Sequence, residues 1–458
     1  MDIQIQEFWE QLKGRRVAFI GAGVSHKKLI EIFCAKGAIV TLCDKKRLED
    51  FGEYANTLKA LKVQLSLGEN YLDGIKNQDI IMRTPGFEFF TKELQAQSSK
   101  AKITSEMELF FELCPCKMYG VTGSDGKTTT TSLIAKMLEE SGNTVHLGGN
   151  IGKALLPIID DVKPNDYAVV ELSSFQLISM KQSPDVAVVT NVSPNHLDHH
   201  KDMQEYIDAK RNILLHQKAN SKAVLGYENE ISRGMQRDVK GQTVFFSRLT
   251  QLDKGGCIDE QGYLSLNGKK VLHQSEVALR GLHNLENLLA AFCAVEGDVP
   301  MEIMAKVARE FKGVEHRIEP VRELNGVCWF NDSIASSPTR TIAGLRSFPQ
   351  KICIIAGGYD KNIPYEPLAK EIIDHVRLLV VMGKTGPKIE KVVREHPEFD
   401  EKALTILHAE TMEQAVKIMY DNTGKGDIVS LSPASASFDL YPNFERRGIH
   451  FKTLVNAL

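Results

Sequence analysis

The chain has 458 residues, 43% of them hydrophobic and 25% charged, a composition typical of soluble globular proteins, and its length exceeds one core, so roughly three domains are expected. A net charge of -3 argues against nucleic acid as the main partner, since a duplex binder needs a concentrated basic face; the eight cysteines are scattered singly apart from Cys114-Pro-Cys116, which points to reduced thiols rather than disulfides or zinc. The N-terminus lacks a basic and then apolar leader and the longest apolar runs are strand-length, so neither signal peptide nor membrane segment is expected and the chain reads as cytoplasmic.

After a short amphipathic lead, Val17-Ala-Phe-Ile-Gly-Ala-Gly-Val-Ser25 reads as a strand running into a Gly-x-Gly turn. A helical stretch follows, then the strand Ala38-Ile-Val-Thr-Leu-Cys-Asp44, which ends in an acid. This is the first half of a dinucleotide-binding fold, with the acid about twenty residues past the glycines, where such folds place a ribose contact. The third glycine of that fingerprint is missing and His26 stands in its place, which weakens an NAD reading. A nucleotide bound differently and a plain α/β domain both remain open. Asp79-Ile-Ile-Met-Arg-Thr-Pro-Gly86 reads as another strand ending in a turn at the ligand edge of a parallel sheet, and the domain closes near residue 105.

Lys117-Met-Tyr-Gly-Val-Thr-Gly-Ser-Asp-Gly-Lys-Thr-Thr-Thr-Thr131 joins an apolar strand to a glycine-rich loop, a lysine and hydroxyl residues that open a helix. Glycines let backbone N–H groups close around phosphate oxygens, the helix start adds its positive end, Lys127 supplies a point charge and Thr128 a hydroxyl for Mg²⁺. Gly120 and Gly126 enclose five residues where the strict phosphate-loop pattern has four, so the match is to a variant. ATP or a close relative is the expected ligand; the bland alternative is a glycine-rich turn with an ordinary surface lysine.

Continuous apolar runs at 168–172, 186–190 and 223–225 suit a parallel sheet buried on both faces. Glu171 closes the first of them and Asn191-Val-Ser-Pro-Asn-His-Leu-Asp-His-His200 follows the second. Both lie at the sheet edge shared with the phosphate loop, which makes Glu171 and His196 candidates for metal or substrate contact. A lone glutamate in such a place is more often a cap or a salt-bridge partner. Lys210 reads by itself as a solvated helix lysine. Residues 240–280 look like an antiparallel excursion. A helix then begins with Asn284 and Asn287 three apart on one face, able to read a purine edge, with capping by Asn284 as the alternative. From Gly313 a third α/β pattern carries polar groups at three strand ends: Asp332, Lys361 and the serines from 432 to 437.

Together these motifs resemble the Mur ligases of bacterial cell-wall synthesis over essentially the whole chain. The carriers are Thr122-Gly-Ser-Asp-Gly-Lys-Thr-Thr129, Glu171-Leu-Ser-Ser-Phe-Gln176, the 191–198 segment, the Lys210 helix, His283-Asn-Leu-Glu-Asn287, Glu315-His-Arg317, Asn331-Asp-Ser333, Gly357-Gly-Tyr-Asp-Lys361, Leu431-Ser-Pro-Ala-Ser-Ala-Ser-Phe-Asp439 and Asn443-Phe-Glu-Arg-Arg-Gly448. The last two point to the branch that adds D-glutamate, and the Asp-Asn-Pro-Arg motif of the branch acting next is missing.

The resemblance implies an α/β fold of three domains: a Rossmann-like UDP-binding domain (1–105), a P-loop-type ATPase with a mainly parallel sheet (106–312) and a Rossmann-like amino-acid domain (313–458). It implies ATP-dependent ligation of D-glutamate to UDP-N-acetylmuramoyl-L-alanine through an acyl phosphate, with two Mg²⁺ ions, ATP as co-substrate and a monomer as the acting form. Lys127, Glu171, His196 and Lys210 would be catalytic. Thr122, Gly123, Ser124, Asp125, Gly126, Lys127, Thr128, Thr129, Asn284, Asn287, Arg317 and Asp332 would hold ATP. Thr128, Glu171, His196 and a carbamylated Lys210 would ligate the metal ions, a carbamate being an oxygen ligand where an ammonium repels a cation. Gly23, Val24, Ser25, Asp44, Lys45, Thr84, Pro85, Gly86, Asn150 and Ser173 would contact the UDP-sugar, and Ser336, Lys361, Ser437, Phe438 and Phe444 the D-glutamate. Asp125 stands where many members carry Asn, Ile334 where some carry Lys, and Phe438 with the residues after it differs from several relatives. A folylpolyglutamate-type ligase would not need the 1–105 nucleotide fold. A P-loop regulator or carbohydrate kinase has no use for Lys361 with the 432–437 segment. A sugar-nucleotide sensor has none for Glu171, His196 and Lys210 together.

Overall fold

The computed structural model describes residues 2–194, 200–279, 281–360 and 363–458, with only the backbone of Val24 and Ser25. Among these residues the strands form three sheets. The first comprises β1 (Arg16–Ile20), β2 (Ile39–Asp44), β3 (Gln64–Leu67), β4 (Ile80–Arg83) and β5 (Lys102–Ser105) in the order β3-β2-β1-β4-β5, every pairing parallel. The strands at its centre are apolar and buried because helices cover both faces, as an all-parallel sheet requires. His26 explains how the missing third glycine is tolerated. Its fully buried ring packs edge-on against Phe19 and its Nδ1 hydrogen-bonds the Gly21 carbonyl at 2.8 Å, so a side chain fills the space that close helix–strand passage leaves in a dinucleotide fold.

The second sheet runs β6 (Lys117–Thr122), β7 (Val145–Gly149), β8 (Tyr167–Glu171), β9 (Val186–Val189), β10 (Lys222–Gly226), β11 (Gln242–Ser247), β12 (Gly256–Ile258), β13 (Tyr263–Leu266) and β14 (Lys269–His273). Its order is β14-β13-β12-β11-β10-β9-β6-β8-β7. The antiparallel excursion expected over 240–280 is shorter than that: β11 and β12 continue the parallel sheet, and only β12, β13 and β14 pair antiparallel. Two helical turns, Glu230–Gly234 and Met235–Asp238, provide a crossover between β10 and β11, whereas tight turns at Gly262 and Asn267-Gly268 reverse the chain between the last three strands.

The third sheet holds β15 (Glu319–Leu324), β16 (Val327–Asn331), β17 (Ile352–Gly357), β18 (Val376–Met382), β19 (Thr405–His408) and β20 (Ile428–Leu431), in the order β15-β16-β20-β17-β18-β19. Only β15 is antiparallel. The chain divides after Phe311 into two compact units, the first holding two sheets and the second holding the third. No described helix is long and apolar enough to cross a membrane.

Candidate active site

Strand β6 lies between β9 and β8, and the chain leaves it toward one side of the sheet and returns on the other. The loop after β6 therefore emerges where the strand order reverses, the place at which an α/β sheet opens a crevice. The helix Lys127–Glu140 starts directly behind Gly126, so its first N–H groups face that crevice. Gly123 and Gly126 have φ of +150° and +79°. A Cβ on Gly126 would lie 2.2 Å from Asn287 Oδ1, so the loop and the helix Leu282–Val295 close on each other.

Polar groups from two other elements fix the loop. Ser124 N and Asp125 N donate to the carbonyl and the side-chain Oδ1 of Asn191 at 2.8 and 3.0 Å, and Thr190 Oγ1 donates to the Asp125 carbonyl at 2.6 Å. Ser124 Oγ bonds the Ser193 backbone and the Tyr206 hydroxyl. Sequence reasoning passed over Thr190 and Tyr206, since a polar residue after a strand and a helical tyrosine carry no signature. Lys127 Nζ donates to the carbonyls of Gly123 and Ser124, both at 2.8 Å, poised over the loop. Thr128 is buried in the first helical turn. Asn284 does not cap its helix: the N-cap is Gly281, and Asn284 Oδ1 instead accepts from Asn287 Nδ2 at 3.0 Å. Asp125 is exposed, and its carboxylate is the one acidic group on the loop. Asp125→Asn is expected to lower the KM for ATP about twofold to fivefold at low salt, a difference that shrinks as ionic strength rises. An unchanged or raised KM in a phosphate-release assay contradicts it.

Glu171 ends β8 opposite Val121 of β6 and is 1% exposed. Its Oε1 accepts from Asn150 Nδ2 at 2.6 Å, while its Oε2 is buried without a hydrogen-bond partner among the described residues. A buried carboxylate oxygen left bare beside a phosphate loop is costly unless a cation or donor arrives. Lys210, which reads from its neighbours as solvated, is 1% exposed. Its Nζ donates to the Gly123 carbonyl at 2.8 Å and to Thr122 Oγ1 at 3.4 Å and lies 4.6 Å from the Tyr206 ring centre. Burial pushes its ammonium well below the ordinary lysine value and the charge of Lys127 adds to that, against the opposing fields of Asp125 and Glu171. The structure thus brings Lys127, Thr128, Glu171 and Lys210 together around one loop. His196 lies outside the described residues. Ser173 caps the turn Ser174–Leu177 through its hydroxyl.

At the edge of the first sheet, β1, β2 and β4 present Gly23, Asp44 and Thr84-Pro85-Gly86 side by side. Both Asp44 carboxylate oxygens accept backbone N–H groups, Oδ2 from Ala22 and Oδ1 from Lys46, so the acid expected at a ribose ties the two loops together. The Lys45 ammonium lies 5.9 Å from the Tyr71 ring centre. The side chains of Val24 and Ser25 lie outside the description. Arg83, at the end of β4, is 1% exposed and donates to the Thr84 and Phe175 carbonyls and to Ser179 Oγ, the last at 2.6 Å. It ties the first sheet's loop edge to the segment after Glu171.

In the second unit, β16 delivers Asp332. His316 and Ile318, with φ of +65° and +43°, flank Arg317, a strained turn of the kind that collects at functional sites. Asp332 Oδ1 accepts from Ile318 N at 3.2 Å. Arg447, 3% exposed, donates to Ser333 and to the carbonyls of Ser435 and Ala436, bracing the 432–437 segment against Asp332-Ser333. Ser437 is buried, Ser336 and Phe444 are half-buried, and Phe438 is exposed with its ring 5.9 Å from Tyr359. Lys361 lies outside the described residues. Burial pushes the Asp332 carboxyl up to about 7. The folded chain keeps that proton where an unfolded carboxyl loses it near pH 4, so stability falls as pH rises from about 4 to about 7 and then levels off. Asp332→Asn is expected to flatten that slope in thermal melts between pH 5 and 8; a slope equal to the parent's contradicts the assignment.

A variant phosphate loop at a strand-order reversal, with a bare buried carboxylate oxygen and a buried lysine beside it, defines an enzyme that works on a nucleoside triphosphate. Residues 121–295 match the Mur ligase middle domain and residues 316–435 the Mur ligase glutamate ligase domain. The UDP-N-acetylmuramoylalanine–D-glutamate ligases of Acetivibrio thermocellus and Clostridium beijerinckii are each 48% identical, over 464 and 459 aligned positions that cover 100% of both chains. The solved UDP-N-acetylmuramate–alanine ligase of Thermotoga maritima shares the fold, with a TM-score of 0.58 at 17% identity over 97% of this chain and 99% of that one. The chain belongs to the Mur ligase family.

Proposed function

We propose that the chain joins D-glutamate to UDP-N-acetylmuramoyl-L-alanine at the expense of ATP, releasing ADP and phosphate, in the assembly of peptidoglycan precursors. The observation that carries this reading is the 48% identity along the whole of both chains to ligases named for that reaction. The substrate carboxylate attacks the γ-phosphorus and ADP leaves; the D-glutamate amine then attacks the acyl carbon and phosphate leaves. Lys127, now on loop carbonyls, moves onto the β/γ-phosphate oxygens, with Thr122 to Thr129 lining the triphosphate and Asn284 and Asn287 on the adenine side.

The residues present fit magnesium, because Glu171 offers a buried oxygen with no hydrogen-bond partner among the described residues. Mg²⁺, when bound, neutralises phosphate charge. Thr128 and Glu171 would hold one ion, and His196 with Lys210 a second. Lys210 would serve as its carbamate, since its buried amine, held toward the neutral form, can add CO₂ with loss of one proton. Asn150, bonded to Glu171, is assigned to orienting that carboxylate and to the muramoyl portion. Gly23, Val24, Ser25, Asp44, Lys45, Thr84, Pro85, Gly86 and Ser173 are assigned to the UDP-sugar, Arg317 and Asp332 to ATP, and Ser336, Lys361, Ser437, Phe438 and Phe444 to D-glutamate. The reading includes three domains, 1–105, 106–312 and 313–458, a monomer, and the cytoplasm, where ATP and UDP-sugars are supplied. Phosphate release should require UDP-N-acetylmuramoyl-L-alanine, ATP, Mg²⁺ and D-glutamate together. Release that proceeds with another amino acid and not with D-glutamate would overturn it.

A further inference from the structure

We propose that Cys114 and Cys116 form a redox-reactive thiol pair, in which Cys114 attacks a low-molecular-weight disulfide and Cys116 resolves the adduct into an intramolecular disulfide. The pair lies on the connection between the helix Glu106–Leu113 and β6, the strand that delivers the phosphate loop, and neither sulfur has a part in the proposed ligation.

The local sequence dictates the geometry. Cys114 precedes a proline, which disfavours helix and leaves it at φ -65°, ψ 117°. In such extended backbone, residues two apart point to the same side. The two sulfurs accordingly meet at 3.4 Å, in hydrogen-bond contact. Exposure separates their roles: Cys114 is half-buried and Cys116 is buried, so a reagent from solvent meets Cys114 first. Charge separates them in the same sense. The hydrogen bond with Cys116 holds the Cys114 thiol below its ordinary value, and the same bond, then burial, pushes Cys116 up. By contrast burial pushes up Cys34, which is also half-buried.

The chemistry balances. The Cys114 thiolate attacks one sulfur of an oxidised glutathione-type disulfide, RS–SR, expelling RS⁻ and leaving Cys114–S–SR. Cys116 gives its proton to solvent and its sulfur attacks Cys114, expelling the second RS⁻. The protein is oxidised by two electrons and one RS–SR is reduced to two thiols.

The test treats the full-length protein with oxidised glutathione, quenches with acid, alkylates the remaining thiols and maps the peptides. In the parent, a peptide linked between Cys114 and Cys116 should form at least about tenfold faster than any adduct on the half-buried Cys34 and Cys328, and dithiothreitol should reverse it. Cys116→Ser should accumulate a persistent glutathione adduct on Cys114, and Cys114→Ser should give neither product. Equal rates at Cys34 or Cys328 in the parent, a comparison that needs no variant, would overturn the proposal, as would a Cys116→Ser protein that holds no adduct.

Discussion

Lys210→Ala is expected to lower turnover about a thousandfold while leaving the protein folded. Losing one preorganised charged or hydrogen-bonding group at a phosphoryl-transfer site costs on the order of 10² to 10³ in rate, and Lys210, assigned above to such a site, has its Nζ 2.8 Å from the carbonyl of Gly123 in the phosphate loop. A structural lysine would behave otherwise. Its amine is buried and held toward neutrality, so replacing it by a lysine-sized apolar residue would cost little stability and little activity if packing were its only duty. Lys210→Met, which keeps the stem, should therefore melt near the parent temperature and still be as inactive as the alanine variant. A short carboxylate such as propionate should restore part of the activity to Lys210→Ala, where the cavity admits it, and none to Lys210→Met, where the stem fills it. Turnover of either variant within a few-fold of the parent would end the carbamate role.

Gly123→Ala is expected to cut kcat/KM for ATP about a hundredfold, roughly 2.7 kcal/mol. Backbone at φ +150° is open to glycine and strained for alanine by about 1 to 3 kcal/mol. The added carbon would also lie 1.9 Å from Thr190 Oγ1 and 3.1 Å from the Asn191 carbonyl. Thr190 cannot simply turn away, because its hydroxyl is held on the Asp125 carbonyl at 2.6 Å. The loop has to shift, and the Lys127 amine that sits on the Gly123 and Ser124 carbonyls shifts with it. The double variant Gly123→Ala/Thr190→Ala should recover part of the loss, since the nearest clash is gone and the strain remains. Gly424→Ala, with no described atom within 4 Å of the added carbon, should be silent. Steady-state phosphate release at varied ATP separates these cases, and a Gly123→Ala enzyme with the parent's kcat/KM would contradict the loop geometry.

Much of this site was legible because its chemistry sits at strand ends. The runs that became β1, β2, β4, β6, β8, β9 and β17 are continuous and apolar, and each stops at a glycine, acid or hydroxyl residue, a pattern that a buried parallel sheet imposes on sequence. Lys210 was not legible from its own surroundings. Asp208 and Arg211 beside it are polar, and only the fold turns that helix face onto β6, so the resemblance alone singled it out. The supports were hidden for a similar reason: Thr190, Tyr206, Arg83 and Arg447 each bond a partner 65 to 114 positions away, which no local pattern records. Thr190 reaches back 65 positions to Asp125, and Arg447 reaches back 114 to Ser333. The strands β15 and β19 escaped because edge strands are short and mixed in polarity; β15 carries Pro320 and charged residues on its exposed side, though the Asn325-Gly326 turn after it was a usable hairpin signal. At His26 the missing third glycine weakens an NAD reading without disturbing the parallel sheet, because a buried ring packed on Phe19 fills the space.

The proposed reaction is defined by the amino acid joined to the nucleotide-linked acceptor. It is tested by mass analysis of the product formed when the protein, ATP, Mg²⁺ and UDP-N-acetylmuramoyl-L-alanine meet an equimolar mixture of D-glutamate, L-glutamate, L-alanine, L-lysine and meso-diaminopimelate, with the glutamate enantiomers distinguished by isotope. A single product carrying D-glutamate, formed in step with phosphate, is expected. A product carrying any of the other amino acids in place of D-glutamate would contradict it.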